Sequence, residues 1–130
     1  MLLGTMRTAF NANETLQNRG VSPPFTSQFF NSACIALVQF CFPSLERSSL
    51  VFRNGGFDVI VEIMHAYRNV EYLQIIGIAA LMVLWKGSCD IVYNWNIVTD
   101  VLAETVIAME MHPENTKLYI VACSALGTLL

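Results

Sequence analysis

Charge is scarce in this 130-residue chain, with only 13% of residues being Asp, Glu, Lys or Arg. Soluble domains average about 25%. The seven basic residues, Arg7, Arg19, Arg47, Arg53, Arg68, Lys86 and Lys117, are scattered singly, and the formal net charge is −3. No basic stripe exists to neutralise phosphates, so nucleic acid is not an expected partner. Paired cysteine motifs are missing too. Cys34, Cys41, Cys89 and Cys123 make no CxxC and no Cys/His cluster of zinc spacing. "MLLGTMRTAF" lacks the basic start and long apolar core of a secretory signal. With no export signal, the cysteines read as reduced and the expected location is cytoplasmic, or else nuclear.

An uninterrupted membrane span is also lacking. Residues 21–45 carry no charge but include Pro23, Pro24, Gln28, Asn31, Gln39 and Pro43. Residues 72–85 are cleaner but number fourteen, where a span needs roughly 20. Membrane insertion is therefore not the expected state. Catalytic signatures are likewise absent: no P-loop, no HExxH and no Ser-His-Asp order appears. No catalytic, cofactor-binding or metal-binding residue is assigned, and the chain is not expected to be an enzyme.

What the chain does have is apolar residues, at 55%, and a repeat. Ala-Leu recurs at Ala36-Leu37, Ala80-Leu81 and Ala125-Leu126, at spacings of 44 and 45. At offset 45 the match extends to Val61/Val106, Met64/Met109, Leu73/Leu118, Ile75/Ile120 and Leu84/Leu129. Within each copy the apolar residues follow i, i+3, i+4, i+7, i+8, the face of a helix. The core stripes expected are Leu73, Ile76, Gly77, Ala80, Leu81, Leu84; then Leu118, Val121, Ala122, Ala125, Leu126, Leu129; and Phe29, Ser32, Ala33, Ala36, Leu37, Phe40. The small residues let helix axes approach closely while leucines fill the space beside them.

A second helix precedes the last two copies, with stripes Phe57, Ile60, Val61, Met64 and Leu102, Thr105, Val106, Met109. Shorter apolar pieces lie upstream at 44–56 and 89–100. Asn54-Gly55-Gly56 is a stop signal, and Ser44 and Asp90 are candidate N-caps. "YRNVE" and "HPENT" mark turns, with Pro113 ending one helix. Each unit thus reads as short helix, helix, longer helix in about 45 residues.

"NGGFDVIVEIMHAYRNVEYLQIIGIAALMVLWKG" resembles an armadillo repeat, and "DVLAETVIAMEMHPENTKLYIVACSALGTLL" resembles the next one. The resemblance covers roughly residues 27–130 and points to the armadillo/HEAT-like superfamily without identifying a subfamily. It implies an all-α, armadillo-type α-solenoid, a right-handed superhelix of three-helix repeats, with about two and a half repeats. The expected division is a polar N-terminal arm or partial helix at 1–26, a third helix at 27–42, and repeats at 44–87 and 89–130. "GTLL" ends at the close of a third helix with no polar cap behind it. The chain therefore reads as a fragment of a longer array, able to self-associate through uncapped repeat ends.

The resemblance further implies a concave surface lined by third helices. Its candidate partner groove is Asn31, Ile35, Gln39, Ile75, Ala79, Val83, Ser124 and Thr128, with Ile120 completing the third rung. Importin-alpha-like members place a Trp and an Asn on this face. Here the Trp position holds Ile35, Ala79 and Ser124, and the Asn position holds Gln39, Val83 and Thr128. Recognition of basic localisation peptides is thereby disfavoured. The expected function is a non-catalytic protein- or peptide-binding scaffold. Two other readings stay open: a small membrane-associated helical protein using 25–42 and 72–85, and a repeat region of a larger signalling protein.

Individual polar residues read as structural. Asp58, Glu62, Glu104 and Glu110 are expected on solvated helix faces. His65 and His112 sit near helix C-termini, where a cation is mildly favourable. Cys34 and Cys123 occupy equivalent repeat positions and read as packing residues.

Overall fold

The computed structural model describes residues 2–20, 22, 25–87 and 95–129. Among them it is all-helical, with seven helices: α1 (Leu2–Asn18), α2 (Ser27–Cys41), α3 (Leu45–Arg53), α4 (Gly56–Ala66), α5 (Glu71–Gly87), α6 (Trp95–Met111) and α7 (Thr116–Leu129). The boundaries have identifiable chemical causes. Thr26 Oγ1 accepts from the Phe29 N–H at 3.4 Å, and Ser44 Oγ accepts from the Arg47 N–H at 3.3 Å. Each satisfies an amide that the first helical turn leaves unpaired. Asn115 does the same for α7, its Oδ1 accepting from the Leu118 N–H at 3.0 Å.

The stop at 54–56 is two events. Gly55 takes a left-handed conformation, φ 84°, which ends α3 and turns the chain into α4. Gly56 is needed for room: a Cβ there would lie 2.7 Å from Val51 Cγ1 and 2.9 Å from the Val51 carbonyl oxygen.

The helices lie in two contacting rows. α1, α4 and α6 follow one another in the first row; α2, α5 and α7 follow one another in the second. α3 packs among α2, α4 and α5. α5 touches α2, α3, α4, α6 and α7. That position fits the lack of any polar side chain in Ile75–Leu84: a helix with neighbours on several sides has little surface to give to water. Leu73, Ile78, Leu81 and Leu84 are each at most 2% exposed, each contributing roughly 1.5–3 kcal/mol of burial before entropy is counted. Gly77 provides the close approach of α5 to α4, since a Cβ there would come within 2.6 Å of Met64 Cγ.

Residues 2–18, inside the segment expected as an arm or partial helix, form a full helix. Its buried side is Leu3, Met6, Ala9, Phe10 and Asn13, packed on α2 and α4. Phe10 meets Phe30 edge-on at 6.3 Å between centroids, and Phe30 meets Tyr67 at 5.6 Å. Asn13 behaves as a surrogate backbone. Its Nδ2 donates to the Phe25 carbonyl at 2.8 Å and its Oδ1 accepts from the Phe25 N–H at 3.1 Å.

Two expected stripes are corrected. In α2 the buried residues are Phe30, Ala33, Cys34, Leu37 and Cys41, while Ser32, Ala36 and Phe40 are exposed. The neighbours of α2, namely α1, α3 and α5, lie on the former side. In α6, Val98, Val101, Glu104, Thr105 and Ala108 are buried, and Val106 is exposed. The row contact with α4 and the contact with α5 and α7 set this phase. Residues 95–100, expected in a separate short helix, are the opening turns of α6. The other half of that expectation, 89–94 with Asp90 and Cys89, lies outside the described residues, as does the side chain of Leu129.

Candidate partner-binding surface

The three rungs of the sequence-derived ladder sit on α2, α5 and α7, which are neighbours in one row. Successive positions within a rung are four residues apart and so share a helix face. On α2, Asn31 is half-buried and Ile35 and Gln39 are exposed. On α5, Ile75, Ala79 and Val83 are all half-buried. On α7, Ile120, Ser124 and Thr128 are exposed, Ile120 at 63%. None of the nine is buried. The middle rung is apolar and flanked by accessible isoleucines, an arrangement suited to receiving apolar side chains of a partner. Tyr72, at the start of α5, bonds across to Ser27 of α2, oxygen to oxygen at 2.6 Å, and pins the two helices at one end of the face.

The opposite row carries the charge. A concavity of about 530 Å³ opens among α1, α4 and α6, with Arg7, Glu62, His65, Arg68, Asp100 and Glu104 in its wall. Glu62 is exposed, as expected, but pairs with Arg7 of α1. Glu104 is a correction: its side chain is 7% exposed, not solvated. The Arg68 guanidinium donates to both carboxylate oxygens, Nη2–Oε1 at 2.8 Å and Nε–Oε2 at 3.4 Å. His65 Nδ1 lies 3.2 Å from Oε1. A buried carboxylate is tolerable only with such partners. The reason for the pairing is the row contact of α4 with α6, which turns Glu104 inward under the C-terminal end of α4. The Glu104 carboxylate raises the Arg68 pKa above the usual arginine value, chiefly by accepting its hydrogen bond; burial opposes this and the opposite charge adds to it.

The turn at 67–71 is clasped from the other side. His112 Nε2 is 2.8 Å from the Arg68 carbonyl oxygen, and Nδ1 is 3.4 Å from Glu71 Oε1. Asn115 Nδ2 donates to Glu71 Oε2 at 3.1 Å. His112 is therefore a buried connector between two turns rather than a simple helix-end cation.

The chain matches no family model, no curated protein and no solved structure.

The thiols divide by environment. Cys34 is fully buried, and desolvation pushes its pKa up to about 12. It is protonated at neutral pH and is no nucleophile. Cys41 is also buried; desolvation raises its pKa against smaller lowering effects from the Ser48 hydrogen bond and the Arg47 charge. Cys123 is exposed, which corrects its reading as a packing residue. The helices packed on α7 are α5 and α6, and they cover Leu118, Ala122 and Ala125. Among the described residues, no group of three or more His, Cys, Asp and Glu side chains is gathered to hold a metal ion. None of the described helices is long and apolar enough to cross a membrane.

The polar networks are what sequence reasoning missed. Glu104 had one available signal. It stands at the position where the buried Val101–Thr105–Ala108 stripe of α6 passes, so a correct phase for α6 would have turned it inward.

Proposed function

We propose that this chain is an armadillo-type α-solenoid segment serving as a non-catalytic protein-binding scaffold in the cytoplasm or nucleus. The partner-binding surface is the α2–α5–α7 face, with Ile35, Ile75, Ala79, Val83 and Ile120 as its apolar contacts. The single observation that carries this reading is the exposure pattern of the ladder. The nine positions that the armadillo resemblance implies for the third-helix face lie on α2, α5 and α7, and none is buried. The recurrence of Ala-Leu at 44 and 45 residues supports the solenoid part. Its chemistry is burial and shape complementarity. An apolar centre with accessible isoleucines suits an amphipathic helix or extended peptide carrying regularly spaced apolar anchors.

Site-specific photo-crosslinking in cells tests the assignment. A photoreactive residue is placed singly at Ile35, Ala79 or Ser124, and as controls at Asp58 or Thr8. The expected result is one common protein adduct from the three ladder positions, missing from both controls. Adducts that are the same at all five positions, or present only at the controls, refute the surface.

A further inference from the structure

We propose that copies of this chain associate head to tail, the Ser32/Ala36/Phe40 face of α2 in one copy seating on the Cys123/Leu126/Gly127 face of α7 in another. The inference rests on the repeat reading above and extends it by naming the occupant of two uncovered faces.

The template is inside the molecule. α7 packs on α5, and Ile78, Leu81 and Met82 of α5 face Ala125 and Thr128 of α7 across a gap of only about 10 Å³ that Val101 and Thr105 of α6 close from the side. Moving Ile78, Leu81 and Met82 on by the 45-residue repeat gives Cys123, Leu126 and Gly127. Ile78 and Leu81 are 1% and 2% exposed. Their counterparts are uncovered: Cys123 and Gly127 are exposed and Leu126 is half-buried. Moving Ala125 back by the two spacings of 45 and 44 gives Ala36. Ala125 is 4% exposed and its middle counterpart Ala80 is 2% exposed, yet Ala36 is exposed. Ser32 and Phe40, one turn to either side of Ala36, are exposed with it.

Among the described residues, one end of the row thus has no cover of the type that α2 presents, and the other has no support of the type that α7 presents. A second copy supplies both and continues the α2–α5–α7 row through the same packing. Gly127 and Ala36 are the small residues such an approach needs, as Gly77 is between α4 and α5. The contact joins two different surfaces, so it leaves a free face at each end and propagates rather than closing as a dimer.

Sedimentation velocity on the 130-residue chain reads this directly, at concentrations up to about 200 µM, high enough to register weak association. Wild type is expected to show a weight-average mass that rises with concentration to at least twice the monomer, without a plateau at the dimer. Ala36→Glu and Gly127→Glu each block one end. Both sites tolerate the change in the monomer: Ala36 is exposed, and a Cβ at Gly127 meets nothing within 4 Å. Each variant alone is expected to stay monomeric. An equimolar mixture is expected to form dimers and nothing larger, because one intact face remains on each partner. The proposal is overturned by a wild type that stays monomeric, or by one that stops at the dimer. It is equally overturned by variants that associate like wild type, or by a mixture that stays monomeric. Small-angle scattering of the monomeric Gly127→Glu variant separates the two levels. A profile matching the two-row arrangement with no association sinks this inference alone; a mismatched profile sinks the repeat reading with it.

Discussion

Gly77 offers the sharpest test of how α4 and α5 meet. Replacing a mid-helix glycine by alanine ordinarily stabilises a helix by roughly 0.5–1 kcal/mol, through reduced freedom of the unfolded chain. At Gly77 the new Cβ would stand 2.6 Å from Met64 Cγ and 2.8 Å from Met64 Sδ. Those atoms belong to a side chain with no exposure at all, close to its own backbone. Cγ can move only if the Met64 rotamer or the whole of α4 shifts, and overpacking of this kind costs about 1–3 kcal/mol. The steric cost exceeds the helical gain, so Gly77→Ala is expected to destabilise by about 0.5–2 kcal/mol. Urea unfolding followed by helical circular dichroism measures it as a lowered midpoint at unchanged slope. Met64→Ala alone leaves a cavity and costs about 2–5 kcal/mol. In that background the clash is gone, and Gly77→Ala should become neutral or stabilising, a coupling energy of about 1–3 kcal/mol. Gly4→Ala in α1 is the control: nothing lies within 4 Å of its Cβ, so it should gain a few tenths of a kcal/mol. A Gly77→Ala variant as stable as the control, with no coupling to Met64, would refute the close approach.

Two further outcomes follow from buried polar groups. Asn13→Ala strands the Phe25 N–H and carbonyl that Asn13 now pairs; a loss of about 2–4 kcal/mol is expected in the same urea assay, and a loss below about 0.5 kcal/mol would mean that solvent replaces the pair. Cys34 gives a signed pH dependence. Its folded pKa is raised from 9.0 to about 12, so above pH 9 the unfolded thiol ionises while the folded one holds its proton. Stability is complete below pH 9 and declines as pH rises through the window toward 12, by ~1.4 kcal/mol per unit from this group. Between pH 9 and 10.5 the wild type should lose ~2 kcal/mol more than Cys34→Ala; parallel pH profiles for the two proteins would contradict the burial argument.

Local chemistry was the legible part of this sequence. Ser44 as a cap, the stop at Asn54-Gly55-Gly56 and the small residue at Gly77 each depend on a neighbourhood of a few residues or on a single contact. They stand in the structure where composition and periodicity place them. Helix phase was less legible at the ends of the rows. For α5, with neighbours on several sides, the apolar residues outside the buried Leu73–Ile78–Leu81–Leu84 stripe are mostly half-buried, so an error of phase has a smaller consequence. For α2 and α6, one side is open, and Phe40 and Val106 fall on it although their apolar character suggested otherwise. A stripe rule reads hydrophobicity but not which neighbour is present. The same limit hid Glu104. A carboxylate on an apolar-rich helix reads as solvated until Arg68, 36 residues earlier, is known to reach it.

The turn between α4 and α5 has a consequence for the order in which the chain assembles. Its contacts to Glu104 and His112 close segments of 36 and 44 residues. Loop closure grows only logarithmically in cost, so the two closures are nearly equal when made independently. Made in succession they are not. Once Glu104 is held by Arg68, His112 is only two turns of helix away, and Asn115 follows three residues later. The second bond then forms over a short helical segment and the third over the brief turn that follows it. α6 and the start of α7 should therefore dock as one cooperative unit, nucleated at Arg68, with the surface of α7 delivered in register by a clasp that none of its own residues forms.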